Sequence, residues 1–192
     1  MPTCSAATAD PERARERQPS RGVAFFMNIA ATDEAWMARA IALAIREKGD
    51  DPANTPIAAL VVRDGSLVAG AVNRTVERCD ATAHAEVEAL RAAGQAVGDM
   101  KIDGATLYTT LQPCGMCTMA AIWAGVTRIV YGAGRNQVHE MYFEDRHLST
   151  VDYIRDAFKD DLALEGGVAA HDCAKLYYGP DDAVPEDQQA NT

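Results

Sequence analysis

The sequence predicts an α/β fold, a mixed sheet covered by helices on both faces, and three observations carry that expectation. Ile57 to Val62 and Leu67 to Val72 are apolar runs joined by Arg63-Asp64-Gly65-Ser66, where Asp-Gly suits the positive dihedrals of a tight hairpin. Beyond the hairpin, helical and strand patterns alternate, which requires crossover connections and therefore parallel strands. The chain has 192 residues and is 48% hydrophobic, enough for one sizeable core.

Taken in order, residues 1–30 are expected to be a disordered extension, because the stretch to about residue 22 mixes Ala, Pro, Arg, Glu and Ser with no apolar period. Met27 is a candidate alternative start. A domain over residues 31–180 follows, then an acidic tail, residues 181–192, also expected to be disordered. Thr32-Asp33-Glu34 reads as a helix N-terminus, with Met37, Ala40, Ile41, Ala44 and Ile45 as its apolar stripe up to Gly49. After the hairpin come a helix over about 83–93, a strand over about 105–110, a helix over about 116–124 and a strand over about 128–131. Met116 and Met119 are expected in the core. No internal repeat is present.

Charge narrows the partners. Lys plus Arg number 18 against 28 Asp plus Glu, a formal net charge of -10, with a pI of about 4.8. Proteins that hold a nucleic-acid backbone gain affinity by neutralising phosphates, so this balance favours a small-molecule substrate over nucleic acid. The apolar runs are far shorter than the roughly 20 residues of a membrane span, so no membrane partner is expected. Five cysteines, an odd number without a secretory leader, argue against a disulfide framework and point to the cytoplasm.

Two motifs stand at the starts of the two central helices, His84-Ala85-Glu86 and Pro113-Cys114-Gly115-Met116-Cys117. Cysteines three apart can share a metal ion, and a helix N-terminus favours the thiolate that zinc requires. His84, Cys114 and Cys117 supply three protein ligands and leave a fourth tetrahedral position for water, as in a catalytic zinc site. Glu86, two residues after His84, does not share its helical face and is available for general acid/base work. A structural four-cysteine site completed by Cys79 and Cys173 is the bland alternative, but it leaves the His-x-Glu unused. The other histidines, His139, His147 and His171, read as surface or core residues.

Thr82-Ala83-His84-Ala85-Glu86 with Pro113-Cys114-Gly115-Met116-Cys117 resembles the cytidine deaminase-like superfamily, whose zinc nucleobase deaminases carry His-x-Glu and Pro-Cys-x-x-Cys. The resemblance runs from about Thr32 to Tyr178. It implies a three-layer α/β/α sandwich around a five-stranded mixed sheet, a homodimer, and Zn2+ as cofactor. Within the purine branch, Asn73 matches an Asn kept by both guanine deaminases and tRNA adenosine deaminases, and its amide can pair with a base edge. Trp123 matches the guanine enzymes, where it implies a π surface beside the base. Phe143-Glu144-Asp145 falls on their Phe-Asp-Asp stretch, which implies Asp145 as a second proton carrier; the Ala85 backbone amide is a further candidate contact.

The resemblance thus implies hydrolytic deamination of a free nucleobase, guanine to xanthine and ammonia first. Three departures bear on the substrate: Asn54-Thr55-Pro56-Ile57 replaces Gly-Gly-Pro-Phe, Gln112 replaces the Glu before Pro-Cys, and His139-Glu140-Met141-Tyr142 is bulkier than its equivalent. They keep open guanosine, cytosine or an amino-s-triazine such as ammeline. The rival classes are a tRNA adenosine deaminase and a non-catalytic zinc module.

Overall fold

Thr32 opens the first helix as the sequence suggests, its hydroxyl accepting the Ala35 amide at 3.3 Å. The computed structural model describes residues 32–49, 56–143 and 162–185, with residues 152 and 154 between them. The expected extension over residues 1–30, most of the acidic tail, and Asp145 lie outside the described residues. Helix α1 spans Asp33–Lys48 and buries Trp36, Met37, Ala40 and Ala44. Ile45, expected on that stripe, is exposed.

Strands β1 (Ala58–Arg63) and β2 (Ser66–Val72) form the hairpin, with Asp64 at φ 52° and Gly65 at φ 68° making the turn. There follow α2 (Thr75–Arg78), α3 (Ala85–Val97), β3 (Thr106–Leu111), α4 (Gly115–Trp123) and β4 (Arg128–Ala133). A 3-10 turn over Glu140–Tyr142, β5 (Ala163–Gly166) and α5 (Ala170–Ala174) complete the described chain. The sheet order is β2-β1-β3-β4-β5. β1 runs antiparallel to both neighbours, while β3, β4 and β5 are parallel. This is the five-stranded mixed sheet, and helices on both faces make it an α/β/α sandwich.

The period-2 alternation of strands divides the core into two layers. Leu60, Val62, Tyr108 and Val130 pack toward α1 and α5. Ala59, Val61, Leu107 and Ile129 pack toward α3 and α4. On the first side α5 lies so close to β4 that a Cβ at Gly132 would fall 2.1 Å from Cys173 Sγ, so glycine is required there. Met116, expected in the core, is exposed in the first turn of α4.

Candidate active site

His84 is the N-cap of α3 and Cys114 the N-cap of α4, each in extended conformation. Both helix starts therefore converge at the carboxyl ends of the parallel strands, where open α/β sheets place their ligands. The approach to His84 is braced. Asp80 Oδ1 accepts the Thr82 amide at 2.8 Å, Arg74 N donates to Ala83 O at 2.8 Å, and buried Glu88 holds both Arg78 and Arg91 at 2.6 Å. On the other motif, Thr118 Oγ1 donates to Cys114 O at 2.9 Å, and Gln112 N donates to Ala133 O at 2.8 Å, which ties the end of β3 to β4.

The ligand atoms sit 3.6 Å apart between the two sulfurs, and 3.8 and 3.6 Å from His84 Nδ1 to Cys114 and Cys117 Sγ. Zinc bond lengths of about 2.3 Å to sulfur and 2.0 Å to nitrogen, at tetrahedral angles, place two sulfurs about 3.8 Å apart and sulfur from nitrogen about 3.5 Å. The three side chains therefore fit one zinc ion without rearrangement. Among the described residues this is the group of His, Cys, Asp and Glu side chains able to hold a metal. Cys79 is exposed and Cys173 is buried on the α1 face of the sheet, so neither completes a four-cysteine site.

Glu86 lies beside the ligands, 4% exposed. Cys117 Sγ donates to its Oε2 at 3.4 Å, and Thr109 Oγ1 donates to its Oε1 at 3.1 Å. Burial pushes the Glu86 carboxyl upward, with the negative Cys114 adding to the effect. Of the two thiols, half-buried Cys114 ionises first: the hydrogen bond from Cys117 outweighs its partial burial and, with help from His84, brings it down to about 4. Cys117 is driven upward by its bond to Cys114, by burial and by Glu86. A buried carboxyl held above its ordinary range beside a metal site is placed to exchange protons with a group bound there.

Asn73 and Ala85 sit at the same end of the sheet. Asn73, at the end of β2, accepts the Ile57 amide on Oδ1 at 2.8 Å. That bond occupies one lone pair of the side-chain carbonyl and orients the amide group. Ala85 is buried at the first position of α3, where backbone amides have no partner within the helix.

Trp123 is not brought to the ligands. It closes α4 and is 68% exposed. Six residues beyond Cys117 amount to about 9 Å of helix and more than one and a half turns, which puts it on another side. There it lines a groove of about 590 Å³ between α3 and α4 with Leu90, Gly94 and Met100. Sequence reasoning missed Thr109 and Glu88. Alternation along β3 signals that Thr109 shares a face with Leu107, but nothing local announces its partner.

A three-ligand group able to hold a metal, with a buried carboxyl against it, stands at the strand ends of an α/β/α sandwich. Residues 30–133 match the cytidine and deoxycytidylate deaminase zinc-binding region. The chain belongs to that deaminase family, and its cofactor is zinc.

Relatives fall on both sides of one division. A tRNA-specific adenosine deaminase of Agrobacterium fabrum is 47% identical over 78 residues, 41% of this chain and 51% of that protein. The chain thus spans about half the length of that relative. A guanine deaminase of Bacillus subtilis is 36% identical over 112 residues, 58% of this chain and 71% of the relative. Among solved structures, a mutant protein in complex with 8-azaguanine superposes with a TM-score of 0.67 at 25% identity, covering 77% of this chain and 82% of that one. A guanine deaminase from Nitrosomonas europaea gives 0.65 at 25% identity, with 83% and 93% covered.

Proposed function

We propose that this chain hydrolyses the exocyclic amine of a free nucleobase, with guanine converted to xanthine and ammonia as its principal reaction. The observation that carries the reading is the buried Glu86 carboxyl, 3.4 Å from the Cys117 ligand atom and bonded on its other oxygen to Thr109. His84, Cys114 and Cys117 hold the zinc, which supplies the Lewis acidity that makes water nucleophilic near neutral pH.

Glu86 takes a proton from the attacking water as the new C–O bond forms at the carbon bearing the amine, and gives it to the adjacent ring nitrogen. A second proton passed through Glu86 leaves with the amine as the C–N bond breaks, so the products are the oxo heterocycle and ammonia. Asn73 donates from its NH2 to an acceptor on the ring, and the Ala85 amide offers a second donor. Asp145 is proposed as the carrier that assists the departing amine.

The acidic net charge of -10 and the 8-azaguanine complex of a structural neighbour support a free base. The 47% identity to a tRNA-specific adenosine deaminase favours the second reading, an adenosine in RNA. The partners proposed are a small heterocycle and a second copy of the chain. A cytoplasmic setting is part of the same proposal; no helix among the described residues is long and apolar enough to cross a membrane.

The test is ammonia release by the zinc-loaded chain from guanine, guanosine, adenine, cytosine, ammeline and an anticodon stem-loop RNA. Guanine is expected to lead. Turnover of the RNA alone would establish the second reading, and turnover of another free heterocycle would move the substrate while keeping the mechanism.

A further inference from the structure

β3 carries two consecutive threonines, both fully buried, and they do different work. Thr110 faces the α1 and α5 side, where its hydroxyl meets Tyr177 Oη at 2.5 Å and accepts the Ala58 amide at 3.1 Å. Thr109 faces the other way, toward α3. Its hydroxyl lies 3.1 Å from Glu86 Oε1 and also 3.1 Å from the carbonyl of Leu111, two residues further along the same strand.

We infer that Thr109 is a positioning residue for the reaction, a fixed post on the sheet whose hydroxyl holds the Glu86 carboxyl in the orientation that proton transfer requires. The inference rests on the proposed role of Glu86 as proton carrier. Three features of the site lead to it. Glu86 has several side-chain torsions, and its neighbour on Oε2, Cys117, has no proton to donate once it ligates a metal as thiolate, so the carboxyl needs another partner to fix it. The partner comes from the sheet rather than from α3, so it does not move with the helix. A β-branched side chain is stiff at χ1, and the one hydroxyl proton serves both states of the carboxyl: it goes to Glu86 Oε1 when Glu86 is ionised and to the Leu111 carbonyl when a protonated Glu86 donates to Oγ1. Serine at 109 would keep the hydroxyl without the branch, and valine would keep the shape without the hydroxyl.

The test compares Thr109→Val, Thr109→Ser and Thr110→Val in the zinc-loaded full chain, with zinc content and thermal melting measured on each. For Thr109→Val, kcat for the best substrate of the ammonia-release panel is expected to fall by about 10- to 100-fold, while KM and zinc content stay within about twofold. Thr109→Ser should recover most of the loss. Thr110→Val, the same change one residue later on the other face, should melt lower but keep its kcat.

A crystal structure of Thr109→Val supplies a readout independent of turnover. Glu86 Oε1 is expected to shift by about 1 Å or to occupy two rotamers. An unmoved Glu86, an unchanged kcat, or a loss that serine does not rescue would overturn the inference. Glu86→Gln separates the two ideas. If Glu86→Gln is inactive and Thr109→Val is fully active, only the role of Thr109 fails. If Glu86→Gln itself turns over substrate freely, the reading of Glu86 fails first and the inference falls with it.

Discussion

The two faces of the sheet are built from the same strands and differ in what they ask of polar groups. Toward α1 and α5, polar side chains close the structure on itself: Thr110 joins Tyr177, and Tyr108 Oη donates to Asp33 at 2.8 Å. Asp33 in turn takes a bidentate ion pair from Arg128, at 2.7 and 2.6 Å. Toward α3 and α4, polar groups converge on a point instead. His84, Cys114, Cys117, Glu86 and Thr109 all direct their functional atoms to one place. Satisfied polar groups on one face fix the sheet, and on the other they leave a metal site whose thiols and carboxyl are shifted from their ordinary ranges. Stability and chemistry are thereby assigned to opposite sides of one layer.

The largest break of that division on the structural side is expected from Gly132→Ala. Its Cβ would lie 2.1 Å from Cys173 Sγ, and displacing α5 from β4 should cost about 1–3 kcal/mol in denaturant unfolding. Zinc affinity should be unchanged, because the ligands sit on the other face. A loss of zinc binding equal to the loss of stability would erase the distinction between the faces.

A smaller effect is expected from Asp33→Asn. The hydrogen bonds from Arg128, ahead of that from Tyr108, hold the Asp33 carboxyl below its ordinary value. A folded value below the unfolded one of about 3.9 gives stability that is present above that pH and lost as the pH falls through the lowered folded value. Wild type should therefore exceed Asp33→Asn by about 1 kcal/mol at neutral pH, with the gap closing below about pH 4. A gap that persists at low pH would mean the charge is not its source.

What the sequence made legible follows from how local each signal is. Asp64-Gly65 dictates its own turn, and Thr32 and Gly49 bracket α1, so those elements could be read directly. The metal ligands were legible because spacing and helix-start position belong to the motifs themselves. β5 was not, since Ala163–Gly166 is a strand through its pairing with β4. α5 was hidden for a related reason: it has no side-chain cap and begins after Ala169 at φ 52°, and its docking depends on Gly132, far away in sequence. Trp123 was expected beside the base from resemblance alone, and it stands exposed at the end of α4. The partnership of Thr109 with Glu86 spans 23 residues and becomes visible when α3 is laid across β3.

The most direct test of the proposed mechanism is ammonia release from guanine by zinc-loaded wild type and Glu86→Gln, with bound zinc quantified on the same samples. Equal zinc in both, with turnover in the variant reduced by at least about 100-fold, is the expected result. Guanine turnover by Glu86→Gln close to that of wild type, at equal zinc, would contradict the assignment of proton transfer to this carboxyl.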